Sequence, residues 1–141
     1  MSNAMAHPLV PVPTPETQPY WDGVAAGELR LPRCRACGGA YFPPSPVCPS
    51  CTSRDIEWFT ASGDATLYSY VIHQRPSNLW NVDGPMSVAL VALAEGPMLV
   101  STVMGCDQTP EGLVLDMGLR ATFAPFAESR VLVFEPAGVS R

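Results

Sequence analysis

Two C-x-x-C pairs, Cys34/Cys37 and Cys48/Cys51, stand ten residues apart in the stretch "CRACGGAYFPPSPVCPSC". No other feature restricts the fold as much. Each C-x-x-C turn brings two sulfurs to one point, and four thiolates complete a tetrahedral shell around Zn²⁺. Gly38, directly after Cys37, allows the positive φ that aims backbone N–H groups at sulfur, while Thr52 follows Cys51 and makes the second turn less ideal. Two disulfides or a redox dithiol are the rival readings. The chain shows no charged-then-apolar secretory leader, so the expected location is the cytoplasm, where disulfides are rare. Two copies at this spacing favour a metal over a redox pair. Zinc is expected, with iron the minority option, because four sulfurs alone do not choose between them. A four-sulfur shell leaves no position for an activated water, so the metal is expected to hold the segment together and not to react. The fifth cysteine, Cys106, is expected as a small buried apolar residue.

The chain has 141 residues, of which Met1-Ser2-Asn3-Ala4 read as an expression scar ahead of Met5. That length suits one ordinary domain or two small ones. A hydrophobic content of 47% is enough for a packed core. No apolar run approaches the ~20 residues of a membrane helix. All eight basic residues are arginines, and the net charge of −5 is uneven. Residues 29–54 hold Arg30, Arg33, Arg35 and Arg54 and no acid, whereas residues 55–136 hold ten acids and three arginines. An acidic body repels a phosphate backbone, which counts against general nucleic-acid binding.

Along the chain, residues 1–15 form the scar and a proline-rich arm. Residues 16–60 form a unit with a helix and the cysteine segment, and residues 61–141 form a β-barrel domain. The helix is predicted over about 18–28 from the stripe Tyr20, Trp21, Val24, Ala25 and Leu29, with Thr17 or Pro19 at its start and Gly27 weakening its end. Pro32 closes off any continuation. "DIEWF" reads as a short strand. Residues 63–74 alternate as a strand, with Ala65, Leu67, Ser69, Val71 and His73 on one face. Residues 86–96 and 98–105 read as a hairpin, and 119–126 and 130–136 as the last two strands. The expected fold is therefore mainly β: a short N-terminal helix and a zinc ribbon, then a five-stranded, partly open Greek-key barrel, the OB-fold. A small sandwich needs more strands.

No catalytic constellation is visible: there is no G-x-S-x-G, no H-E-x-x-H and no phosphate-cradling glycine loop. His73 lacks a nearby carboxylate to make it a general base and reads as a strand-end histidine. Trp80, with Asn78 in the loop after the first barrel strand, reads as a ligand or interface anchor or as a plug over the barrel end.

Taken in order, "YWDGVAAGELRLPRCRACGGAYFPPSPVCPSC", "WFTASGDATLYSYVIHQRP" and "VALVALAEGPMLVSTVMG" resemble the domain-of-unknown-function 35 (DUF35) family, over roughly residues 16–136. The resemblance implies a rubredoxin-like zinc ribbon followed by an OB-fold. It also implies a non-catalytic accessory subunit for a thiolase-like, hydratase or aldolase enzyme acting on acyl-CoA. A homodimer or hetero-oligomer is expected, and, on the hydropathy and charge above, no membrane and no nucleic acid as partner. Cys34, Cys37, Cys48 and Cys51 match the family's metal ligands. The family has no short CoA motif to carry over, so the candidate CoA-binding residues are chosen on chemistry. Arg75 is one, as a planar fork for phosphate, with His73, Asn78 and Trp80 around it, and Arg33 and Arg35 are alternates from the basic segment. The rival class is a single-stranded nucleic-acid binder, since zinc ribbons and OB-folds both serve that use. A free-standing thioesterase or hydratase is the third reading.

Overall fold

The computed structural model describes residues 11–76, 83–126 and 129–138. The first element among the described residues is a helix, α1 (Gln18–Ala26), with Pro19 in its first turn. Proline is tolerated there because the N–H it lacks has no partner within the helix. Gly27 ends the helix at φ 79°. Its N–H donates to the Val24 carbonyl at 3.1 Å, and the Glu28 N–H donates to the Gly23 carbonyl at 2.7 Å. This is a Schellman ending, which needs a left-handed residue at that position. Tyr20 and Val24 form the buried stripe of α1.

Seven strands follow among the described residues: β1 (Arg30–Cys34), β2 (Ile56–Thr60), β3 (Asp64–His73), β4 (Met86–Leu93), β5 (Met98–Ser101), β6 (Gly118–Phe126) and β7 (Ser129–Pro136). The first two pair antiparallel, from Arg30 opposite Thr60 to Cys34 opposite Ile56, and carry the cysteine segment between them. Strand β1 is an addition to the elements that the sequence predicts. Pro32 argues against a strand there, but its carbonyl faces away from β2 and accepts the Tyr41 N–H at 3.2 Å, so the N–H it lacks is not one that the β1–β2 ladder uses.

The other five strands form one antiparallel sheet in the order β5-β4-β3-β6-β7. This is the five-stranded, OB-fold-like arrangement that the strand count predicts. The predicted hairpin is β4–β5, and the long connections follow β3 and β5. The sheet curls until its edges meet at a parallel bridge between Val103 and Phe134. There the Phe134 N–H donates to the Thr102 carbonyl at 3.0 Å and the Met104 N–H to the Phe134 carbonyl at 2.7 Å. Phe134 is fully buried inside the curl with Leu67, Val91, Val103, Leu113 and Leu119. The same apolar cluster continues through Ala61 to Leu31, Leu29, Val24 and Tyr20, so helix, ribbon and barrel share one core.

One predicted face does not hold. Leu67 pairs with Val91, but Ser69 pairs with Leu90, so Tyr68 is an extra residue in β3. Before this bulge Ala65 and Leu67 point inward; after it Tyr70 and Ile72 turn toward the core, and Ser69, Val71 and His73 are exposed. A single inserted residue exchanges the two sides of a strand whose side chains alternate with period two.

A knot of polar groups fixes the β5–β6 connection. Buried Ser87 on β4 accepts the Val103 N–H at 3.0 Å through Oγ, and its own N–H donates to Gln108 Oε1 at 2.7 Å. Gln108 Nε2 in turn donates to the carbonyls of Val103 and Cys106 at 2.8 and 3.1 Å.

Candidate metal centre

Cys34 is the last residue of β1, which places its sulfur at the end of the two-stranded sheet. The chain then turns back through Cys37 to Gly38, whose N–H donates to the Cys34 carbonyl at 2.8 Å, while the Cys34 N–H donates to Gly39 at 2.9 Å. The second pair repeats this turn: Thr52 N–H to the Cys48 carbonyl at 2.9 Å, Cys48 N–H to Ser53 at 2.9 Å. Each turn also aims an amide at sulfur, Cys37 N–H at Cys34 Sγ and Ser50 N–H at Cys48 Sγ, both at 3.4 Å. Such N–H···S contacts stabilise thiolates and orient them.

The four sulfurs lie within 4.8 Å of one another. The Cys34–Cys51 and Cys37–Cys48 separations are 3.5 and 3.7 Å. A tetrahedron with metal–sulfur bonds of about 2.3 Å has edges of ~3.8 Å, so the cluster fits one metal ion at its centre. The first cysteine of each pair is buried and the second exposed, so the cluster sits at the surface with its inner half anchored in the fold. The Cys37 amide leads in holding the Cys34 thiol down to about 6. Cys48 is lowered likewise, first by the Cys51 amide. On Cys51 the Ser53 amide pulls down, but the Cys34 sulfur, burial and the two remaining sulfurs push that thiol up to about 12. Four crowded sulfurs cannot all ionise alone, and a bound dication is what removes the conflict.

The loop between the pairs is fastened from within. Buried Tyr41 donates its hydroxyl to the Ser45 carbonyl at 2.5 Å, and Ser45 Oγ bridges to Val47. Cys106 lies outside the cluster and is half-buried, and burial followed by the Asp107 charge pushes its thiol up.

Among the described residues, the remaining predicted ones have partners or positions of their own. Arg33 stacks over the Phe59 ring at 3.9 Å and faces Glu57 at 4.0 Å. Arg35 faces Glu57 at 3.4 Å and Asp55 at 3.8 Å. The basic segment is thus balanced by acids just beyond its end, which antiparallel pairing of β1 and β2 brings alongside. His73 and Arg75 are exposed at and after the end of β3, while Asn78 and Trp80 lie outside the described residues. A groove of about 440 Å³ runs between α1 and the start of β7, lined by Pro11, Trp21, Asp22 and Arg130 among others, and holds none of the predicted site residues. Among the described residues no helix is long and apolar enough to cross a membrane.

The sequence matches two adjoining family models, "ChsH2, rubredoxin-like zinc ribbon domain" over residues 21–57 and "ChsH2, C-terminal OB-fold domain" over 58–124. It is 35% identical over 124 residues to the 3-oxo-4,17-pregnadiene-20-carboxyl-CoA hydratase alpha subunit of Mycobacterium tuberculosis, covering 86% of this chain and 38% of that protein. It is 36% identical over 87 residues to a probable enoyl-CoA hydratase alpha subunit of Thermomonospora curvata, 61% of this chain and 27% of that one. The chain thus spans well under half the length of either hydratase subunit. A DUF35 domain-containing scaffold protein of Methanocaldococcus jannaschii is 31% identical over 98 residues, 68% of this chain and 67% of that protein. Among solved structures, a chain of the Ltp2-ChsH2(DUF35) aldolase superposes with a TM-score of 0.80 at 29% identity, over 91% of this chain and 99% of that one.

Proposed function

Because the chain belongs to the DUF35 family, we propose that it is a non-catalytic, acyl-CoA-associated accessory subunit of a cytoplasmic enzyme complex. Its partner on this reading is a hydratase, aldolase or thiolase-like enzyme. The observation that carries the proposal is the nearly end-to-end likeness to a chain of an aldolase complex. The cysteine cluster agrees with it, since a shell closed by four protein sulfurs offers no reacting position. We assign Zn²⁺ to Cys34, Cys37, Cys48 and Cys51, with a structural role.

For the CoA thioester, exposed Arg75 and His73 at the end of β3 are the first candidates for phosphate, with Asn78 and Trp80, which follow them in sequence. Arg33 and Arg35 rank second, because their pairing with Glu57 and Asp55 must be given up before they meet a phosphate.

The test is co-expression with the enzyme subunit encoded beside this chain's gene, followed by calorimetry with several acyl-CoAs. Co-purification and measurable heat are expected, and weaker binding with Arg75→Ala. Failure to co-purify, together with no heat from the chain alone, removes the proposal.

A further inference from the structure

Strand β4 is apolar on both sides. Its inward residues Ser87, Ala89, Val91 and Leu93 are buried, and its outward residues are Met86, Val88, Leu90 and Ala92, with no charge among them. A strand of this kind belongs to a sheet covered on both faces. Among the described residues, the outward face is instead left open. Val71 is 63% exposed, Val88 38%, Val100 69% and Met98 42%. Register makes these one surface: Val71 stands opposite Val88, Leu90 opposite Val100, and Ala92 opposite Met98. The bulge at Tyr68 is what turns Val71 to this side.

The segment that carries this surface is acidic. Residues 61–116, which contain β3, β4 and β5, hold six acids against the single Arg75, and of these acids Asp64 is paired with Arg120 of β6 at 2.6 Å. The rest of the chain has seven acids and seven arginines.

We propose that the outward face of β3, β4 and β5 docks a different protein, one that presents an apolar patch edged with lysine and arginine. Two copies of this chain meeting face to face bring two acidic lobes together, which opposes self-association, whereas a basic rim gains from the same field. The inference rests on the accessory-subunit reading above and says where the enzyme subunit binds.

The experiment uses the chain co-expressed with the neighbouring enzyme subunit, and the substitutions Val100→Glu and Val100→Ser. The wild-type complex is expected to form, with association slowed by added salt. Val100→Glu is expected to weaken it about tenfold or more, as a buried unpaired charge does, and Val100→Ser by less. The melting temperature of the isolated chain should stay unchanged in both. A wild-type complex that Val100→Glu leaves intact overturns the docking face while leaving the accessory-subunit reading standing. An isolated chain that sediments as a dimer and is split by Val100→Glu assigns the face to a second copy and overturns the proposal. A large drop in melting temperature for both variants overturns it too, because Val100 then packs within the isolated chain. No wild-type complex at all defeats both readings together.

Discussion

Thr52 takes, in the second cysteine turn, the place that Gly38 takes in the first: both are left-handed, at φ 64° and 82°, and each donates its N–H to the carbonyl of the first cysteine of its pair. A left-handed conformation costs a β-branched residue roughly 1–2 kcal/mol that glycine does not bear. Thr52→Gly is expected to raise the unfolding free energy of the metal-loaded protein by about 1 kcal/mol, read as a higher denaturant midpoint, after glycine's greater freedom in the unfolded chain is set against the gain. Gly38→Thr, where an added Cβ meets no atom within 4 Å, should lose a similar amount through φ alone. Equal midpoints for all three proteins contradict this account.

Metal removal has a countable outcome. With the ion in place, the four clustered sulfurs are expected to be slow toward a thiol reagent, and half-buried Cys106 slow as well. A strong chelator should expose four fast thiols and release one metal ion per chain, with zinc identified by elemental analysis. Acid should release it too, since the ligands must be deprotonated to bind. Rapid labelling of all four cysteines before chelation would count against the assignment.

Tyr20 provides a pH dependence with a definite sign. Burial raises its hydroxyl from 10 to about 12. Above pH 10 the unfolded chain therefore loses a proton that the folded chain keeps, and stability falls as pH rises toward 12. The full effect is about 2–3 kcal/mol. Tyr20→Phe should flatten urea stability between pH 9 and 11, relative to wild type, on the order of 1 kcal/mol. An unchanged slope rules out the burial explanation.

The polar knot behind β5 predicts an asymmetry. Ser87→Ala leaves the Val103 N–H without its side-chain acceptor and should cost about 1–3 kcal/mol in chemical denaturation. Gln108→Ala removes the partner of the Ser87 N–H and two donors to carbonyls, so it should cost at least as much. Gly112→Ala, whose Cβ falls within contact of the Asp107 carbonyl of the same loop, should be worse than either. A mild Gly112→Ala variant would show that this loop yields easily.

Much of this was legible in the chain, and the exceptions share a cause. Cys34, Cys37, Cys48 and Cys51 announce their convergence through spacing alone, because a C-x-x-C turn is a local event. The barrel strands show in alternation and turn residues, and Gly27 marks the helix end within two residues. What stayed hidden depends on a partner distant in sequence. Pro32 reads as a terminator until β2 comes alongside it, opposite Trp58. Arg33 and Arg35 read as free cations because Asp55 and Glu57 lie just past the acid-free window, and only the hairpin sets them face to face. Ser87 gives no sign in "MSVALVAL" that it accepts an amide from beyond β5. The extra residue at Tyr68 likewise leaves no local trace, since both sides of β3 are apolar enough to pass for either.

That extra residue makes β3 a strand with two parities. Up to Leu67, odd-numbered positions face the core; from Tyr70 onward, even-numbered ones do. The extra residue is therefore also the one that can be lost. With Tyr68 deleted, Leu67 stays opposite Val91 and Ser69 opposite Leu90, so the alternation runs unbroken, Ile72 stays indoors and Val71 and His73 stay out. One residue more or less here renumbers the core positions that follow without moving them, so homologous chains aligned across this strand should be compared by parity before they are compared by residue.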